Sequence, residues 1–82
     1  MKIITVEDCR KLRERFLKYC DTAEQHQFPL LATINFKMDN TLKVIEAEGE
    51  VKNQKDTRAM FRVVLRVIGE DFSDYKEESD EQ

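Results

Sequence analysis

Arg58, Arg62 and Arg66 stand four residues apart, so their guanidinium groups share one face whether the segment is a strand or a helix. A guanidinium is a rigid fork of donors that binds carboxylates and phosphates through paired hydrogen bonds. Three of them in register call for glutamates, a phosphate backbone or a partner protein. Arg10, Lys11, Arg13, Arg15 and Lys18 supply a second basic cluster.

Nucleophilic and acid–base chemistry has less to work with. His26 is the single histidine, and Cys9 and Cys20 are the two thiols. Cys20 and His26 would make a nucleophile and a base, but six residues apart on a helix they point in different directions. The sequence has no Gly-rich phosphate loop, no cysteines at metal-binding spacing and no carboxylate pair in a catalytic setting. It therefore points to no enzyme, no cofactor, no metal and no small-molecule substrate. On one helix Cys9 and Cys20 lie roughly 16 Å apart, beyond the ~7 Å that a disulfide spans, so both read as reduced core thiols.

The elements that must position these groups follow from hydrophobic spacing. Thr5 offers an N-cap hydroxyl with Asp8 three residues on, and Glu7 and Asp8 put negative charge in the first turn. A helix follows from about Val6 to about Gln25, with Cys9, Leu12, Phe16, Tyr19, Cys20 and Ala23 on its apolar stripe. Pro29 breaks it. Leu30, Ala32, Ile34, Phe36 and Met38 then alternate with Leu31, Thr33, Asn35 and Lys37, the pattern of a half-buried strand, and Asp39-Asn40 suits a hairpin turn. The return strand starts with Leu42 and Val44 and changes phase at Ile45, as a β-bulge would make it do, leaving Glu46, Glu48 and Glu50 on the other face. Asn53 to Asp56 makes a second turn. Arg58 to Ile68 forms the third strand, with Phe61, Val63, Leu65 and Val67 inward.

The expected architecture is an α+β fold, one N-terminal helix packed on a three-stranded antiparallel meander. Lys2 to Ile4 is a possible short edge strand, giving (β)-α-β-β-β. This order of elements resembles the first four elements of the double-stranded-RNA-binding domain, without a residue motif of that family, and its function is not carried over.

Eighty-two residues form one domain. The net charge of −3 averages two unlike pieces: residues 1–69 carry 13 basic and 10 acidic residues, and residues 70–82 set one lysine against seven acidic residues. A mildly basic α+β domain over 1–69 thus carries an acidic, partly disordered tail over 70–82, in which Phe72 and Tyr75 are placed to fold back onto the sheet. No apolar run reaches the ~18 residues of a membrane span, and the first residues lack a signal-peptide core. The expected compartment is the cytoplasm.

With the arginines paired to Glu46, Glu48 and Glu50 across the sheet, an apolar patch of Leu42, Val44, Met60, Val64 and Ile68 remains on the outer face. That patch predicts a small non-enzymatic interaction module, an adaptor, inhibitor or accessory protein, forming a homodimer or binding another protein. The competing expectation is RNA or single-stranded DNA binding through Arg58, Arg62, Arg66, Arg10 and Arg13.

Overall fold

The computed structural model describes residues 2–76, and its regular secondary structure is all helical. Its helices are α1 (Val6–Thr22), α2 (Phe28–Glu48) and α3 (Gln54–Ile68), with single 3₁₀ turns at Gln25–Gln27 and Ser73–Tyr75. Among the described residues there is no strand, so the expected α+β meander is wrong. The likeness to the double-stranded-RNA-binding domain falls with it.

The reason lies in which period persists. In α2 the buried residues are Leu31, Ile34, Met38 and Ile45, with Leu42 partly buried, a three-and-four spacing held over the whole 21-residue helix. The alternation that suggested two strands needed a slip at Ile45. The helical reading needs none. Pro29 occupies the first turn of α2, where a missing N–H costs nothing, so it starts a helix instead of stopping one. Asp39 and Asn40 lie in mid-helix, and Asp39 accepts a 2.7 Å bond from Arg13 Nη1.

In α3, Thr57, Met60, Phe61, Val64 and Leu65 are buried, again at helical spacing. The face expected to be inward is split: Phe61 and Leu65 are core, whereas Val63 is 52% exposed. Asn53, expected in a turn, is the N-cap of α3, its side chain accepting from the Asp56 amide at 3.1 Å. Valine's strand preference is overridden by the packing of an amphipathic stripe. Gly49 and Gly69 close α2 and α3 in the left-handed conformation, at φ 78° and 77°.

The first helix follows expectation more closely. The Thr5 hydroxyl accepts from the Asp8 amide while the Asp8 carboxylate accepts from the Thr5 amide, a complete capping box. Cys9, Leu12 and Phe16 are buried. The helix stops at Thr22, short of the expected Gln25, because Ala23 is extended.

Helix α1 packs along both other helices, whereas α2 and α3 hardly touch each other. Arg10 reaches Glu46 at 2.8 Å and Arg13 reaches Asp39 at 2.7 Å, so α1 and α2 run antiparallel. Ile4 meets Gln54 at the start of α3 and Arg15 pairs with Glu70 beyond its end, so α1 and α3 run the same way. The body is flat, 35 × 34 × 16 Å. Its least exposed side chains are Ile4, Leu12, Phe16, Phe61, Val64 and Leu65, each contributing about 1.5–3 kcal/mol on burial.

The segments flanking the helices close the rest of α3. Lys2 to Ile4, expected as an edge strand, forms no strand, and its backbone bonds to side chains of α3. After Gly69 the chain turns back, and the Tyr75 ring lies 4.7 Å from that of Phe61. Phe72 and Tyr75 thus pack onto a helix instead of a sheet. The remainder of the expected acidic tail, 77–82, lies outside the described residues.

Candidate docking groove

The loose contact between α2 and α3 leaves a groove of about 560 Å³ between them. Its floor is apolar: Ile34 and Ile45 from α2, Met60 and Val64 from α3, all of them core residues with one edge facing the groove. Val44 and Val63 form the rims, at 57% and 52% exposure. Around this lie Lys37 and Thr41 along α2, with Glu48, Lys52, Asn53 and Asp56 near the turn into α3. Lys52 and Glu48 form a 3.6 Å ion pair there. Both helices put valine where an exposed position would ordinarily be polar. Together they make an apolar channel with charged ends.

The patch expected from the sequence comes apart when placed on the helices. Val44, Met60 and Val64 do line the groove, but Met60 and Val64 are buried, and only Val44 is well exposed. Leu42 and Ile68 are partly buried against the core and do not line it. The sheet face that was to unite all five does not exist. Sequence reasoning missed Ile34, Ile45 and Val63 as lining residues; the three-and-four spacing of 34, 37, 41, 44 and 48 would have found Ile34.

Each of the three arginines contacts another part of the chain, Arg58 buried, Arg62 half-buried and Arg66 exposed. Arg58 is 4% exposed and its Nη2 donates to the Lys2 carbonyl at 2.6 Å. Arg62 Nη1 donates to the Tyr75 carbonyl at 2.8 Å, and the Arg66 guanidinium sits 5.2 Å from the Phe72 ring centre. The comb thus holds the segments before α1 and after α3 onto the helix. The expected cross-strand partners are elsewhere: Glu46 accepts from Arg10, and Glu48 pairs with Lys52. Arg13 is taken by Asp39, whose carboxyl is held below its usual range by that bond and by Lys43.

Burial pushes the Cys9 thiol up to about 11, with the neighbouring Asp8 charge adding to it, and burial with Asp21 raises Cys20. Cys9 is buried and Cys20 partly so, both free. His26 is exposed, with Nδ1 3.3 Å from Glu24. Among the described residues no group of three His, Cys, Asp or Glu side chains could hold a metal ion, and no helix is long and apolar enough to cross a membrane. Comparison with protein-family models, with curated proteins and with solved structures found no match.

Proposed function

We propose that the chain is a small non-enzymatic protein-interaction module, an adaptor, inhibitor or accessory protein, that receives an α-helix in the groove between α2 and α3. The observation carrying this is the pair of half-exposed valines, Val44 and Val63, flanking an apolar floor. Leaving large apolar side chains in water forfeits about 1.5–3 kcal/mol each relative to burying them. A channel bounded by two helices suits a third, whose apolar residues at three-and-four spacing enter it. A cytoplasmic location belongs to this reading and is supported by the free thiols of Cys9 and Cys20.

The nucleic-acid alternative is weakened because Arg58 and Arg62 donate to backbone carbonyls, while Arg66 stays exposed beside the Phe72 ring. One experiment separates the two. The tagged full chain, expressed beside an untagged copy in its native cells, is purified with and without nuclease and compared with Val44→Asp/Val63→Asp. Protein retained after nuclease and lost from the double variant, with thermal unfolding of that variant still cooperative, is the expected result. Retention that disappears with nuclease and ignores the double substitution would replace this function with nucleic-acid binding.

A further inference from the structure

The occupant of the groove can be read from the residues along α2, given the docking reading above. On the groove side α2 presents Ile34, Lys37, Thr41, Val44 and Glu48, spaced alternately three and four, with the buried Ile45 beneath them. That spacing is the seam of a pair of helices packed along their length. In an antiparallel pair the two kinds of seam position face each other across the contact, so a seam can meet its own reverse. Turned end for end about the point midway between Thr41 and Val44, this string sets Lys37 opposite Glu48 and Thr41 opposite Val44. Each contact then occurs twice.

The string is therefore complementary to itself, cation at one end and carboxylate at the other. Lys37 is exposed and makes no ion pair among the described residues. Among the described residues Glu48 has only the surface pair with Lys52. Thr41 is small enough to admit the Val44 side chain of an opposing helix. A contact of this kind, the same patch on both molecules, is what a two-fold axis generates.

We propose that the groove is filled by a second copy of this chain, with α2 of each copy lying antiparallel along the other and Lys37 facing Glu48 of the partner subunit on both sides of the axis. Like charges placed at either end repel twice, and opposite charges exchanged between the two positions restore both contacts.

Sedimentation equilibrium on the full chain tests this with four samples: wild type, Lys37→Glu, Glu48→Lys, and an equimolar mixture of the two variants. The wild type should dimerise in the micromolar range, each variant alone should dimerise at least about tenfold more weakly, and the mixture should recover the wild-type dissociation constant. A purely structural effect of either substitution cannot produce that recovery. A wild-type monomer up to about 0.5 mM would overturn the proposal, and so would a dimer insensitive to both variants or one weakened without recovery in the mixture. In those cases the groove reading still stands if Val44→Asp/Val63→Asp abolishes retention of a different protein.

Discussion

The Gln54 side-chain amide exchanges two hydrogen bonds with the backbone of Ile4: Oε1 accepts from the Ile4 amide at 2.8 Å, and Nε2 donates to the Ile4 carbonyl at 2.8 Å. A side chain at the start of α3 thereby satisfies both backbone groups of Ile4, as a neighbouring strand would. Ile4 is 1% exposed, so neither backbone group has water to turn to. Replacing Gln54 by alanine strands both, and an unsatisfied buried group costs about 1–3 kcal/mol. Urea unfolding of Gln54→Ala should show a loss in that range, with faster hydrogen exchange at the Ile4 amide. Wild-type stability in Gln54→Ala would mean that the segment before α1 adds nothing to the fold.

Arg58 continues the same clamp one turn along α3, but its role is divided. Its Nη2 reaches the Lys2 carbonyl, while its buried Nε has no hydrogen-bond partner among the described residues. A buried cation so thinly compensated contributes mainly through the packing of its stem. Arg58→Met keeps that volume and removes the charge, so its stability should lie within about 1 kcal/mol of wild type. Arg58→Ala should lose about 2–4 kcal/mol through the cavity it leaves. Chemical denaturation of both variants decides the matter: equal losses would show that the hydrogen bond to Lys2, not the stem, is what counts.

Much of α1 was legible because its signals are local. The Thr5 and Asp8 box and the stripe through Cys9, Leu12 and Phe16 depend on residues within a few positions of one another. Residues 30–68 were misread because apolar residues there satisfy two periods at once. Leu30, Ala32, Ile34, Phe36 and Met38 fit a strand, yet Phe36 is among the most exposed of the large apolar side chains, while Leu31 is core. Pairing cannot be read from charge alone either. Arg58, Arg62 and Arg66 share a face in both folds, but only the helix brings that face against Lys2, Phe72 and Tyr75. The groove was invisible to a two-faced sheet reading because its lining comes from the flanks of two helices.

The thiols make a prediction with a definite sign. Cys9 has its folded-state value raised to about 11, chiefly by burial, so the folded chain holds this proton at pH values where an unfolded thiol has lost it. The associated stability is complete below the ordinary thiol range and is lost as pH rises toward about 11. Denaturant midpoints should fall over that interval in wild type, and less in Cys9→Ser. With a thiol reagent at neutral pH, Cys20 should react ahead of Cys9, and both should react rapidly once unfolded. Prompt native labelling of Cys9 would contradict its place in the core.

The most direct test of the groove as a docking surface is an amide chemical-shift map recorded over a series of protein concentrations. The shifts should grow with concentration and cluster on α2 from Ile34 to Glu48 and on α3 from Asn53 to Val64, with the exposed side of α1 unchanged. Shifts confined to the residues around Arg62, Arg66 and Phe72, or no change across the series together with shifts there on adding an oligonucleotide, would contradict it.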